Sequence, residues 1–140
     1  MYVPTVEKGA IFYASPHEPL DAFGENLGGT TMPIPNEDAI VAVKAIELTT
    51  GRIRWQHADP PRRHHMEMNG LMSTAGKLVF GGDAERLFAL DADTGAQLWQ
   101  FETGGPIWAA PVTYELSRRQ YVTVAAGRSV LGFELPQQKR

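Results

Sequence analysis

The side chains able to do chemistry in this sequence are few and scattered. His57, His64 and His65 lie close together, and a metal would need further ligands converging on them at about 2 Å. Adjacent residues in an extended chain point to opposite faces, so His64 and His65 chelate poorly as a pair. With Arg62 and Arg63 beside them they read as a solvated basic loop. Glu37-Asp38 and Asp83-Ala-Glu85 offer carboxylate oxygens. A calcium loop needs six to eight oxygen ligands, and these pairs lack that density, so they read as turn and surface residues. Arg128-Ser129 stands at the end of an expected strand, where it could reach the rim of a bound group. There is no cysteine, which removes disulfides, thiolate metal sites and cysteine nucleophiles together. No Ser–His–Asp arrangement, phosphate loop or dinucleotide fingerprint is present.

The elements that must position these groups are short. The 140 residues include 14 Gly and 10 Pro, and no window of a dozen residues between them keeps a 3.6-residue apolar period. Segments of four to eight residues rich in Val, Ile, Phe, Tyr, Leu and Thr predict strands. They fall near 2–6, 10–14, 39–47, 52–57, 70–74, 77–82, 86–91, 97–102, 107–113, 120–126 and 129–135. The class is all-β. Residues 15–38 read as a long surface loop, and Asp59–His65 as a second polar loop. Lys and Arg total 13 against 16 Asp and Glu, a net charge of −3. That balance excludes a nucleic-acid partner held by phosphate neutralisation. No apolar run reaches the roughly 18–20 residues of a transmembrane segment. Met1–Lys8 lacks a basic region followed by an apolar one, so no signal peptide is read in this chain.

The strongest pattern is internal. Ala45-Ile-Glu-Leu-Thr-Thr-Gly-Arg-Ile-Arg-Trp55 aligns without gaps on Ala89-Leu-Asp-Ala-Asp-Thr-Gly-Ala-Gln-Leu-Trp99, an offset of 44 residues. A weaker third copy follows, with Leu87–Ala92 echoed by Val130–Leu135 and Lys77–Gly82 by Gln120–Ala125. A period of this length, built from four short strands, is the signature of a β-propeller blade. The motif reads mechanically. Gly95 supplies the positive φ of a tight turn, Asp91 and Thr94 hydrogen-bond turn amides, and Trp99 on the returning strand docks against the neighbouring blade. Ala45 and Ala89 are read as leaving room for an indole. In the other copy Gly51 and Trp55 take the same parts.

This repeated motif resembles the tryptophan-docking motif of the eight-bladed quinoprotein alcohol dehydrogenases, which use pyrroloquinoline quinone and a calcium ion. Leu71–Gly81 resembles a strand pair of a late blade. Gly105–Tyr114 with Arg119–Gly127 resembles the final blade, and Gly28–Thr31 with Ala39–Ala45 the blade before. The resemblance implies a partial propeller of about 2.5–3 four-stranded antiparallel blades. Residues 1–57 would form an incomplete blade, 66–102 a full one, and 106–135 a last blade lacking its fourth strand. It implies the C-terminal part of a periplasmic dehydrogenase that oxidises alcohols or sugars. Its partners would be the remaining blades, a small substrate, and an electron acceptor such as a cytochrome or quinone. The family's catalytic base and calcium ligands fall on earlier blades and match nothing here, so the isolated chain is expected to be inactive. Methanol-type members carry a cofactor-contacting Trp before a Gly-Gly, where this sequence has Met66-Glu-Met-Asn-Gly70. Met68 and Asn69 from that segment, and Trp108, are the candidate cofactor contacts. A cofactor-free propeller serving as a scaffold in envelope protein assembly is the competing reading. A short chain that oligomerises to close a ring is the third.

Overall fold

The computed structural model describes residues 1–14, 28–58 and 69–136. Twelve strands and no helix occur among them. In chain order these are β1 (Tyr2–Glu7), β2 (Ala10–Ala14), β3 (Gly29–Pro33), β4 (Ile40–Ile46), β5 (Ile53–Ala58), β6 (Met72–Ser73), β7 (Leu78–Asp83), β8 (Arg86–Asp91), β9 (Gln97–Glu102), β10 (Val112–Leu116), β11 (Arg119–Ala126) and β12 (Ser129–Glu134). All pairings are antiparallel. One sheet has four strands in the order β6-β7-β8-β9; two have three, β1-β4-β5 and β10-β11-β12; β2 and β3 form a separate hairpin.

The 44-residue repeat is a structural repeat. Ala45 lies opposite Trp55 across β4 and β5, and Ala89 lies opposite Trp99 across β8 and β9. A register shift falls at the same point in both pairs, at Ala45/Ile46 and Ala89/Leu90. Each sheet is short and sided, so its apolar rows must be buried against a neighbour. Val43 from the first sheet meets Val79, Phe88 and Leu90 from the second, with Tyr2, Trp55 and Leu71 closing the layer. Strand alternation sends Leu87, Phe80 and Ala89 to the opposite face. There Leu87 packs with Ile107, Val124 and Ala126, and Phe80 and Ala89 pack on Val122. The three sheets thus stack face to face, the four-stranded one in the middle.

Two sequence expectations need correction. The stretch 15–38, read as loop, contains β3, whose Thr30 and Thr31 pair with Tyr13 and Phe12 of β2. Gly28, Gly29 and Pro33 bracket that strand, and these breakers mask the β-forming Thr-Thr-Met between them. The strand expected at 107–113 starts later, at Val112. Pro106 and Pro111 lack the N–H a ladder needs, so Ile107 makes only an isolated bridge to Ala126. Trp108 therefore lies outside any strand. The β10–β11 turn then sets the register: Ser117 and Arg118 have φ of 52° and 63°, positive at both central positions as a two-residue hairpin turn of the primed type requires.

Candidate functional site

Strand direction sorts the connections into two ends. β8 runs from the Asp83–Arg86 turn to the Asp91–Gly95 turn, so these lie at opposite ends of the sheets. The first end gathers Asn69, the β7–β8 turn, residues 103–108 and Gly127. Asn69 N–H donates to Gly82 O at 3.1 Å, and its side-chain amide donates to Ile107 O. Ile107 N–H donates to Ala84 O at 2.6 Å, and Gly127 N–H to Pro106 O at 2.8 Å. The Thr103 N–H and hydroxyl both donate to Glu85 O, each at 2.7 Å. Gly82 and Gly105 admit this crossing: a Cβ on Gly82 would sit 2.8 Å from Ile107 Cγ2, and one on Gly105 3.1 Å from Gly127 Cα.

A buried ion pair underlies that end. Arg86 Nη2 donates to Asp83 Oδ2 at 2.6 Å and Nε to Oδ1 at 3.2 Å. Both side chains are buried, and the fork geometry ties the two flanks of the turn together. In the sequence Asp83 reads as a surface carboxylate; in the fold it is buried. The signal available was the Asp-x-x-Arg spacing, which puts opposite charges on the two sides of a two-residue hairpin turn.

The sequence candidates for cofactor contact distribute unevenly. Asn69 and Trp108 come to the same end, joined through Ile107. Trp108 is 66% exposed. Met68, His64 and His65 lie outside the described residues. His57 sits on β5 with its ring 6.5 Å from that of Phe88, inside the joint between the first two sheets. Among the described residues no three His, Asp or Glu side chains converge on a point where a metal would sit. Asp83 is committed to Arg86, and Glu37 accepts the Gly9 N–H at 2.9 Å. Among the described residues these carboxylates do not converge as calcium ligands would, and the Asn69 amide is turned to Ile107 O.

The second end carries the repeated turns. Asp91 Oδ1 accepts the N–H groups of Asp93 and Thr94, at 3.0 and 2.8 Å, and the Thr94 hydroxyl at 2.9 Å. These bonds hold the carboxyl below its usual range, the Thr94 hydroxyl foremost. Lys77 bonds Asp93 at 2.6 Å, and that contact raises the lysine's pKa. The Trp55 indole rests on this turn: Nε1 donates to Ala92 O at 3.0 Å, and a Cβ on Gly95 would lie 2.5 Å from Trp55 Cε3. Tyr2 stacks on the indole at 5.7 Å, and its hydroxyl donates to the same carbonyl at 3.1 Å. The room for the indole is made by buried Gly95 of the next sheet. Ala45 and Ala89, expected to make it, instead lie across from the tryptophan of their own sheet. Trp99 is differently placed: 37% exposed, it meets Phe133 edge-on at 5.1 Å and stacks on Phe101 at 6.2 Å. It borders an apolar groove of about 500 Å³ between the second and third sheets, with Leu98, Phe133, Leu135 and Pro136.

Residues 36–122 match the family described as PQQ: glucose/ethanol/alcohol dehydrogenase, β-propeller domain. The chain is 38% identical to the quinoprotein alcohol dehydrogenase PedH of Pseudomonas putida over 101 residues, covering 71% of this chain and 16% of that protein. It is 37% identical to PedE of the same organism over 92 residues, 65% of this chain and 14% of that one. Among solved structures, the quinohemoprotein alcohol dehydrogenase from Comamonas testosteroni superposes with a TM-score of 0.71 at 28% identity, over 92% of this chain and 20% of that one. The chain thus spans about a sixth of the length of the curated relatives it matches.

Proposed function

The chain belongs to the PQQ β-propeller family of glucose, ethanol and alcohol dehydrogenases, and we propose that it supplies consecutive late blades of a periplasmic dehydrogenase oxidising alcohols or sugars. The observation that supports this reading is the joint between the first two sheets. There an indole seated on the Gly95 turn, one repeat on from its own motif, builds the blade-to-blade contact of a propeller. On this reading pyrroloquinoline quinone and calcium are held mainly by other blades of the parent protein. When bound, they would accept the hydride and polarise the quinone.

The part of these residues is structural and positional. The Asp83–Arg86 pair and the Asn69–Ile107 bond fix the loops at one end of the sheets. Trp108 is presented to solvent from that end. A general base within hydrogen-bond reach of the substrate has no counterpart among the expected site residues, so the chain alone is inactive. The electron acceptor, a cytochrome or a quinone, engages the parent protein.

The test has two arms. The purified chain, given pyrroloquinoline quinone and calcium, is assayed for alcohol-dependent dye reduction; no turnover is expected, and saturable turnover would overturn the reading. The chain is then exchanged for the matching segment of a quinohemoprotein alcohol dehydrogenase. Retained alcohol oxidation supports the assignment; a folded, cofactor-loaded chimera without turnover counts against it.

A further inference from the structure

The sequence holds three asparagines, and the residue after each sets them apart chemically. Asn69 is followed by Gly70, Asn36 by Glu37 and Asn26 by Leu27; Asn26 lies outside the described residues. An asparagine side chain is open to attack at Cγ by the main-chain nitrogen of the next residue. A glycine there has no Cβ to block the approach and has the backbone freedom to make it. Gly70 is exposed and precedes β6, and its N–H donates to no main-chain carbonyl among the described residues. The Glu37 N–H is instead engaged, donating to Ile34 O at 3.3 Å, and the adjoining carboxylate disfavours a second negative charge on that nitrogen. Asn69 also holds more than Asn36 does. Its N–H donates to Gly82 O at 3.1 Å, at the end of β7, and its side-chain amide donates to Ile107 O. It therefore clips the 103–108 segment to the second sheet. Ile107 itself is buried with Leu87, Val124 and Ala126. Gly70 packs so closely beside it that a Cβ there would lie 2.8 Å from the Ala110 Cβ.

We propose that Asn69-Gly70 is a site of spontaneous deamidation, and that the conversion releases the clip between the second sheet and the 103–108 segment. The step needs only water. The Gly70 nitrogen attacks Asn69 Cγ, and the new N–Cγ bond closes a succinimide ring as the Cγ–Nδ2 bond breaks. Nδ2 leaves as ammonia, taking the proton from the Gly70 N–H. Water then opens the ring at one carbonyl or the other, leaving an aspartyl or an isoaspartyl residue at position 69. Nothing is oxidised or reduced. Either product undoes the clip. The aspartyl carboxylate sets an acceptor against Ile107 O where a donor stood, and a part-buried acceptor without its donor costs stability. The isoaspartyl form lengthens the main chain by one carbon ahead of Gly70, which has no slack against Ala110. The clip also restrains the reaction: Cγ turns onto the Gly70 nitrogen when the Ile107 bond opens, so conversion proceeds through local opening of this end. Each converted chain then stays unclipped. This inference uses only the chain's own bonds and would stand if the dehydrogenase reading failed.

The purified chain is held in mildly alkaline buffer, which favours loss of the Gly70 amide proton, and sampled by peptide mapping and mass spectrometry for replacement of NH2 by OH. Asn69 should convert at least tenfold faster than Asn36. Gly70→Ser paired with Ala110→Gly, which makes room for the new Cβ, should slow Asn69 at least tenfold and leave Asn36 unchanged. Amide hydrogen exchange then reads the clip on the aged wild-type chain itself. The converted fraction should exchange faster at Ile107 and Gly127, whose N–H groups bond Ala84 O and Pro106 O, with Gly95 in the turn at the other end unchanged. Asn69→Asp should reproduce that pattern without ageing. Conversion at Asn36 as fast as at Asn69 would overturn the proposal, as would a converted chain whose Ile107 exchange matches the fresh one. Faster exchange at Gly95 as well would also overturn it, since the whole fold would then have loosened and not one segment.

Discussion

At the scale of single residues, three tryptophans of one chain have three environments, and their removal should separate accordingly. Trp55 combines a stacked Tyr2, a hydrogen bond to Ala92 O and close contact with Gly95. Trp55→Ala forfeits packing and leaves a cavity at the joint between sheets, at a cost of about 3 kcal/mol. Trp108 is largely exposed, and Trp108→Ala should change stability by about 0.5 kcal/mol or less. Trp99, packed on Phe133 but bordering a groove, should fall between. Denaturant melts of the three variants decide the order; equal losses at Trp55 and Trp108 would refute the joint. Asp91 makes a pH prediction at the same scale. Its folded pKa is depressed below its unfolded value by the Thr94 and Asp93 bonds. The stability it contributes is therefore present above the unfolded value, near 3.8, and is lost as pH falls through the lower folded value. The Tm gap between wild type and Asp91→Asn should be constant near neutrality and shrink below about pH 4. A gap independent of pH down to 2 would show that the carboxylate charge is not what the turn uses.

At the scale of elements, the sequence was most legible where the repeat and the strand pattern agreed. The segments around β4, β5, β7, β8 and β9 are rich in apolar residues, and β4 and β8 each lead into a Thr-Gly turn, so type and boundaries could both be read. β3 and β10 were not so legible. In each case glycine or proline punctuation suggested a boundary, while the real one was set by a partner strand elsewhere in the chain. Turn chemistry decided β10: Ser117 and Arg118 occupy positive φ, where Asn and Gly are the usual residues. Non-glycine side chains in that region carry strain, so a better-matched pair should help. Ser117→Asn with Arg118→Gly is expected to raise stability by about 1 kcal/mol, read as a shift in the urea midpoint at unchanged slope. A lower midpoint would mean that the β10 edge needs those side chains in place. The candidate site was legible in part for a related reason. Asn69 and Trp108 could be named, but their meeting through Ile107 depends on crossings admitted by Gly82 and Gly105, which no local pattern announces. The buried Asp83–Arg86 pair escaped because a charged turn ordinarily reads as solvated.

At the scale of the whole molecule, the stack of sheets has two unlike outer faces, and their difference predicts how the chain behaves in solution. On the first sheet the outward row includes Thr5, Glu7, Lys44 and Gln56, with the Lys44–Glu7 pair across it. On the last sheet, alternation along β10 puts Val112, Tyr114 and Leu116 outward together, all exposed, with Val130 on β12. Tyr114 stacks on Tyr121 at 5.3 Å, so this surface is an ordered apolar patch of the kind that marks an association site. The outer edge of β12 pairs with no strand among the described residues, and an open edge adds backbone donors and acceptors to the attraction. The isolated chain should therefore self-associate through its last sheet, leaving the Lys44–Glu7 face free. Sedimentation velocity should show a concentration-dependent shift from monomer to larger species. Val112→Lys with Leu116→Lys places charges on the patch, where they disfavour burial; the change touches no residue of the three cores. It should move the midpoint of association at least tenfold higher in concentration while leaving the melting transition nearly in place. Thr5→Lys with Gln56→Lys, on the other face, should not. If the first pair of substitutions left association unchanged and the second abolished it, the polar face would be the contacting one.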